Sequence, residues 1–314
     1  EQCEQARSAA RLLRIPFEVV DLIREFSQRV VDPFCREYAA GRTPNPCIVC
    51  NREIKLGLLL HHARALGADK LATGHYARLE QGEDGPRLLR AADRLADQSY
   101  FLYAVRRASL ERVLTPLGTT TRAEVHRLAG AWHAVATRSS QDTCFVTNRE
   151  RARFVASRTG TRPGDIIDLD GHVLGAHRGL PFYTVGQRHG LRIAATEPKY
   201  VVRIDPGRNA IVVGSDSDLY TSTAVVDNLE WTSGQPLSTE LLLQAQSRYR
   251  SRGCLAAVSL RGERAIVAFR QPQRAIAPGQ SVVFYDGDVV LGGGIIRQRL
   301  KGAEQAHVPL RADG

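Results

Sequence analysis

Gly41-Arg-Thr-Pro-Asn-Pro-Cys-Ile-Val-Cys-Asn-Arg-Glu-Ile-Lys55, followed by Lys70-Leu-Ala-Thr-Gly-His-Tyr76, is the stretch that decides the fold. A Pro-rich loop opens a helix along which Ile54, Leu58 and His61-His62 recur at helical spacing, and Gly67 supplies a left-handed stop. Lys70–Thr73 then reads as a short strand that ends on Gly74-His75. Upstream, Ala6, Ala10 and Leu13 form one helical face, and Pro16 opens an expected strand over Phe17–Leu22. Val30, Val31, Phe34 and Tyr38 place another helix over about residues 24–40. Helices alternating with short strands across connections of this length predict an open parallel, Rossmann-like α/β sheet.

Past Tyr76 the spacing predicts helices over Gln98–Val105 and Ser109–Leu114. Thr121-Arg-Ala-Glu124 is a capping box before a further helix, and Ser139–Cys144 reads as a loop. From about residue 160 hairpins take over. Asp170-Gly171 and Asp286-Gly287 are two-residue turns, and Pro206-Gly-Arg-Asn209 joins two apolar runs. The expected organisation is α/β plus all-β: an α/β catalytic domain over 1–152, a small β-rich domain over 153–217 and an antiparallel β-barrel over 218–300. A polar tail covers 301–314.

Composition narrows the function. The chain has 314 residues, 43% hydrophobic and 24% charged, which excludes disordered and fibrous classes. It has no apolar run long enough to span a bilayer and no signal-like start, so a cytosol-type protein without membrane contact is expected. The formal charge is +10, and 39 of the 43 basic residues are Arg. Arginine's planar fork suits phosphates and base edges, so nucleic acid leads the candidate partners; a GC-rich codon bias is the plainer account of the same count.

Six cysteines in a reducing compartment are metal ligands, catalytic thiols or core residues rather than a disulfide framework. Cys3, Cys35 and Cys254 sit singly among apolar neighbours and are assigned to packing. Cys47-Ile-Val-Cys50 opens a helix, where a lowered thiol pKa is expected. The pair suits a redox couple, half a zinc site or a cluster. No second C-x-x-C or His pair follows at zinc-finger spacing. Cys144, after a polar Ser-Gln-Asp-Thr stretch, is a third loop thiol. Two activated loop thiols on a basic chain suggest sulfur chemistry, one carrying sulfur and the other resolving it. Gly74-His75 at a strand end fits a ligand site of a parallel sheet or a structural turn. Asp97-Gln98 fits an N-cap.

Taken in order, these segments are specific. Residues 41–55, Ala72-Thr-Gly-His-Tyr76, Asp97-Gln-Ser-Tyr-Phe-Leu102 and Ser140-Gln-Asp-Thr-Cys-Phe145 are followed by Gly179–Gly190, Arg248-Tyr-Arg250, Pro278-Gly-Gln-Ser281 and Tyr285-Asp-Gly287. The set, from residue 1 to about 297, closely resembles the tRNA-specific 2-thiouridylase family (MnmA/TrmU). The resemblance implies a domain of the PP-loop ATP pyrophosphatase type. It also implies ATP-dependent 2-thiolation of the wobble uridine in tRNAs for Lys, Glu and Gln, with ATP and Mg2+ activating the C2 oxygen and a cysteine persulfide delivering sulfur. Its partners would be the tRNA anticodon stem-loop and a sulfur-relay or cysteine desulfurase donor. By position, Cys144 matches the persulfide carrier and Cys50 the nucleophile that resolves it through a disulfide. Asn45, Pro46 and Cys47 match the target-base segment, where some members carry Asp at the position of Cys47. Gly74 matches an ATP contact. His75, Ala96, Asp97, Gln98, Arg248, Tyr249 and Gln280 match tRNA contacts, with Ala96 standing where Lys is usual.

One departure stands out. The family opens with a strand and a Ser-Gly-Gly-Val-Asp-Ser loop for the ATP phosphates, and these 314 residues, which contain no Met, hold no such motif. The chain is therefore expected to lack an N-terminal piece of roughly 30 residues or more. Two alternatives stay open: a truncated, non-catalytic tRNA-binding protein, and thiolation through an iron–sulfur cluster on Cys47, Cys50 and Cys144.

Overall fold

A computed structural model describes residues 2–131, 143–235 and 240–300. Gln2–Leu13 is helical. Residues 15–22 run on without pairing, so the strand expected over Phe17–Leu22 does not form: no described strand lies beside it to complete a ladder. The next helix, Ile23–Ala39, contains a π-helical turn at Ser27–Val31. Asn45 caps the helix that carries the thiols. This helix runs from Pro46 to Ala65, widens into π geometry over Asn51–Leu58 and stops at Gly67, whose φ is +89°.

β1 (Leu71–Ala72) follows, then a hairpin of β2 (Ala77–Gly82) and β3 (Gly85–Arg90). Gln98–Val105 is not the expected helix but one 3₁₀ turn, Ser99–Phe101, and irregular chain. The Asp97 carboxylate takes the N–H groups of Ala91 and Ser99 and the Ser99 hydroxyl, which competes with helical bonding. Ser109–Leu114 likewise splits into a short helix, Arg107–Leu110, and β4 (Val113–Leu114). β4 pairs in parallel with β1, Leu71 opposite Val113, and this two-stranded pair is what residues 2–131 form of the expected parallel sheet. Arg122–Ala131 is capped as read: Thr121 and Glu124 exchange hydrogen bonds at 2.8 and 3.2 Å.

The central region is a four-stranded sheet in the order β6 (Val173–His177), β5 (Gly164–Ile167), β8 (Ala210–Gly214), β7 (Tyr200–Asp205). Beyond it, six antiparallel strands close a barrel: β9 (Tyr220–Trp231), β10 (Leu241–Gln246), β11 (Cys254–Arg261), β12 (Arg264–Arg274), β13 (Ser281–Asp286) and β14 (Val289–Leu300). β13 pairs with both β10 and β14, which removes the open edges.

The barrel does not stand apart. β3 adds to β14, Leu89 opposite Val289, so the hairpin that follows the parallel strand extends the barrel sheet. One apolar core joins Ile48 and Leu56 of the thiol helix, Leu88 of the hairpin, Tyr100–Val105, and Val283, Tyr285 and Val290 of the barrel. Tyr100 and Tyr103, both buried, reach Ser281 across it: the Tyr100 hydroxyl donates to the Ser281 carbonyl at 2.8 Å, and Tyr103 meets the Ser281 hydroxyl at 3.1 Å.

Among the isolated cysteines, Cys35 is buried and Cys254 half-buried against the barrel core, as packing residues should be. Cys3 is exposed, because its helix has no cover on that side among the described residues. No described helix is long and apolar enough to cross a membrane.

Candidate active site

The site is organised by the loop Gly41–Asn45 and the helix that follows it. Pro46 at the first helical position and Asn45, which accepts the Cys47 N–H at 3.2 Å, fix the start of the helix and aim Cys47 and Cys50. The Asn51 amide donates to the Phe101 carbonyl at 3.1 Å and locks the helix onto the irregular 97–105 segment. The π geometry that begins at Asn51 opens the turn to i, i+5 spacing, and Lys55, five residues after Cys50, acts on its thiol electrostatically.

Cys144 comes from a different part of the chain. Thr143 and Val146 bridge each other, with the Thr143 hydroxyl donating to the Val146 carbonyl at 2.6 Å, so Cys144-Phe145 is the tip of a tight turn. Phe145 plugs that turn into an aromatic cluster, with ring centroids 5.7 Å from Phe26, 5.2 Å from Phe34 and 5.7 Å from Phe154. Cys144 is left exposed at the apex. Its preceding residues Ser140, Gln141 and Asp142, and the rest of the expected loop from Ser139, lie outside the described residues.

The three thiols share one electrostatic neighbourhood and are all free. Burial pushes the Cys50 thiol up to about 11; Lys55 pulls the other way, and Cys144 and Cys47 add to the rise. Burial also raises Cys47, though one face of that side chain meets solvent, with Cys144 adding to the rise and Lys55 opposing it. The expectation of a thiol lowered by a helix N-terminus therefore fails for both residues. The Cys47 N–H is already spent on Asn45, Cys50 lies a turn inside the helix, and desolvation outweighs the dipole. His75 is buried and pushed down to about 4 by desolvation and then by Lys55. It is held by Thr73, whose hydroxyl lies 2.5 Å from His75 Nδ1. Gly74 beside it faces open space, a Cβ there meeting only Leu117 at 3.9 Å. Lys55, which sequence reasoning passed over, acts on Cys47, Cys50 and His75 alike. Its signal was its place at the end of the Cys-x-x-Cys segment.

A second cluster lies where the 90–97 loop meets the barrel. Arg90, Arg94, Leu95, Asp97, Tyr249, Arg250 and Arg252 line a cavity of about 610 Å³. This cavity joins two expected contacts far apart in sequence, Asp97 and Tyr249, while Arg248 is not among its lining residues. Several residues expected to touch RNA are nevertheless engaged inside the protein. Ala96 is buried, and the Gln98 side chain takes the Tyr76 N–H at 3.0 Å. Arg248, half-buried, donates to the Arg274 carbonyl at 2.8 Å and to that of Ala275. Tyr249 packs on Phe101 with ring centroids 4.3 Å apart. Gln280 holds the Thr43 carbonyl. Arg90 lies 3.4 Å over the Tyr285 ring and 3.4 Å from Asp97. Arg94 pairs with Asp288. By contrast Arg250 and Arg252 are exposed and have no acidic partner among the described residues, the former 5.5 Å from the Tyr249 ring.

Three family models match the chain in order: a tRNA methyl transferase HUP domain over residues 1–148, a tRNA methyl transferase PRC-barrel domain over 152–215 and an aminomethyltransferase beta-barrel domain over 221–296. A tRNA-specific 2-thiouridylase MnmA of Chloroflexus aurantiacus is 44% identical over 302 residues, covering 94% of this chain and 84% of its own. That of Geobacter metallireducens is 45% identical over 303 residues, covering 94% and 82%. That of Dehalococcoides mccartyi is 43% identical, covering 93% and 82%. The chain belongs to the tRNA-specific 2-thiouridylase MnmA family. As in the reading of its motifs, the chain combines a HUP domain, a central domain and a closed six-stranded barrel.

Proposed function

We propose that the chain is a tRNA uridine 2-sulfurtransferase in which Cys144 carries the sulfur and Cys50 resolves it. The observation that carries this is the meeting of an exposed turn-tip thiol, Cys144, with a sheltered one, Cys50, from a segment 94 positions earlier. An exposed apex is where a donor protein can load a persulfide. A sheltered, protonated thiol does not compete for that sulfur before the substrate arrives.

The steps balance. The terminal sulfur of the Cys144 persulfide attacks C2 of the uridine, forming the C–S bond as the activated C2 oxygen departs. The Cys50 thiolate then attacks Cys144 Sγ. The S–S bond to the transferred sulfur breaks, its electron pair stays with the thiouridine, and a Cys50–Cys144 disulfide forms, to be reduced by an external thiol. The proton on Cys50 must leave first, and Lys55 favours that by stabilising the thiolate. ATP, when bound, supplies the adenylyl group that makes the C2 oxygen a leaving group. On this reading Gly74 admits it, and the open space beside Gly74, just past the end of β1, supports that. Asn45, Pro46 and Cys47 receive the base beside the thiols.

The RNA lies over the arginine cavity, with Arg250 and Arg252 on phosphates and Arg248, Tyr249, Asp97, Gln98, Ala96 and His75 shaping the surface beneath. The proposed division is 1–152, 153–217 and 218–300; the helix Arg151–Thr159 runs across its first boundary, and the β2–β3 hairpin crosses from the first unit to the sheet of the third. Transfer of radiolabelled sulfur from a loaded donor to tRNA tests the reading: Cys144→Ser is expected to abolish it, and undiminished transfer would sink the persulfide assignment. Iron analysis of anaerobically purified protein separates this route from a cluster on Cys47, Cys50 and Cys144.

A further inference from the structure

The proposed turnover leaves a Cys50–Cys144 disulfide, and a third free thiol, Cys47, stands on the same helix as Cys50. Pro46 and Asn45, which accepts the Cys47 N–H at 3.2 Å, put Cys47 on the first turn, three positions ahead of Cys50. At that spacing two helical Cα atoms lie about 5 Å apart, inside the range of roughly 4.4–6.8 Å that a disulfide accepts. The Cβ atoms must draw together by about 1 Å. The first turn, least held by its own hydrogen-bond ladder, is where a helix can give. Cys50 is half-buried, whereas Cys47 and Cys144 are exposed, Cys144 at the tip of the turn closed by Thr143 and Val146. Cys35 lies in the cluster around Phe145 but is only 2% exposed, so it is closed to exchange. Lys55 favours the thiolate of Cys47 as it does that of Cys50.

We propose that Cys47 is a second resolving thiol: it displaces Cys144 from Cys50, so that each turnover ends on a Cys47–Cys50 disulfide within one helix. The Cys47 thiolate attacks Cys50 Sγ. The new S–S bond forms as the Cys50–Cys144 bond breaks, and the electron pair leaves on Cys144 Sγ, which takes a proton from water. This exchange involves no net oxidation. A dithiol reductant then attacks Cys47 Sγ from its solvent side and ends as its own disulfide, returning Cys47 and Cys50 to thiols. The leaving sulfur is the exposed one, where water solvates the departing thiolate. The attack comes from the same helix, so its effective concentration exceeds that of a free thiol in solution. Reduction directly at Cys144 would put a mixed disulfide on the sulfur that must be loaded next. Exchange to Cys47 frees the turn tip for a new persulfide while reduction proceeds on the helix. The inference rests on the thiouridylase reading for the transfer that makes the first disulfide, while the exchange stands on the placement of Cys47 and Cys50.

Cys47→Asp removes the thiol, and Cys47→Ser replaces it if the carboxylate disturbs the fold. The full chain is equilibrated in a glutathione redox buffer, free thiols are trapped with N-ethylmaleimide, and the disulfides are mapped by mass spectrometry. In the wild type Cys47–Cys50 is expected to exceed Cys50–Cys144 by about tenfold, with Cys144 trapped as a free thiol. In the variant the disulfide should be Cys50–Cys144. A wild-type disulfide that stays on Cys144, with Cys47 free, would overturn the proposal. Turnover on tRNA with a loaded donor is then followed against the concentration of dithiothreitol. The variant should run about tenfold slower than wild type at low dithiothreitol and gain on it as the concentration rises. A loss by the same factor at every concentration would also overturn the proposal and leave Cys47 as a base contact alone. If the wild type transfers no sulfur to tRNA, the thiouridylase reading fails instead, and the disulfide map still judges the exchange.

Discussion

The thiol helix and the arginine cavity share one apolar core yet treat charge in opposite ways. Around the thiols, burial drives groups toward neutrality: Cys47 and Cys50 are raised and His75 is lowered. Around the cavity, half-buried cations are met by acceptors that follow them inward. Arg248 is lowered by burial and by Arg274 but compensated by two carbonyls, while Arg90 has Asp97, the Gln246 side chain and the Tyr285 ring. On the proposed function, the difference lets one small protein offer solvated arginines to an anionic polymer while burial keeps its sheltered thiols protonated.

The comparison breaks most visibly at His75. Between pH 6.5 and about 4 the unfolded chain takes up a proton that buried His75 refuses, so stability falls as pH drops through that window. The loss attributable to this group is on the order of 3 kcal/mol. In His75→Gln, unfolding midpoints followed from pH 7 to 4 should fall less steeply than in wild type; parallel curves would mean that His75 protonates freely in the fold. Next in size is Cys50. Its alkylation rate should climb with pH toward about 11, and at pH 7 it should be on the order of tenfold slower than that of an exposed peptide thiol, the greater nucleophilicity of a high-pKa thiolate offsetting part of its scarcity. Lys55→Met should slow it further, because the charge that favours the thiolate is gone; a faster reaction would remove Lys55 from the site.

The smallest effect sharpens the other half of the comparison. Arg250→Gln and Arg252→Gln should each reduce the slope of log K against log salt for tRNA by about 0.7 to 0.9, with no change in melting temperature. Arg90→Gln should instead lower the melting temperature, since it removes a cation held by Asp97, Gln246 and Tyr285. If Arg90 and Arg250 behaved alike, the distinction between supporting and RNA-facing arginines would be void.

Much of this was legible in order along the chain. The helix from Pro46 to Gly67, the Thr121 capping box and the β-hairpins follow from local spacing and turn chemistry, and these are what one-dimensional patterns report. The failures have a common cause in long-range partners. Phe17–Leu22 has strand composition but no described neighbour to pair with. Gln98–Val105 has helical spacing, but Asp97 and Ser281 capture its polar groups. The β2–β3 hairpin was missed altogether, although Gly82-Glu-Asp-Gly85 is a turn signal, and its membership of the barrel sheet depends on residue 289. At the site, the motifs single out Cys47, Cys50 and Cys144 as candidates, and the structure brings them into one electrostatic neighbourhood. The direction of the thiol shifts was not readable, because a helix start argues for lowering and only three dimensions reveal the burial that outweighs it. Lys55 was hidden for a related reason, since its π-helical setting does not follow the 3.6-residue period.

The pairing of Leu89 with Val289 has a consequence for how the chain is made. Leu88, Tyr100 and Leu102 find their cover on strands encoded some 200 residues later. At about 5–20 residues per second of synthesis, those side chains wait roughly 10–40 s for the barrel to emerge. A nascent chain of this kind has a strong call on chaperones during that interval, and a stop codon anywhere before Val290 would leave the thiol half sticky rather than merely inactive.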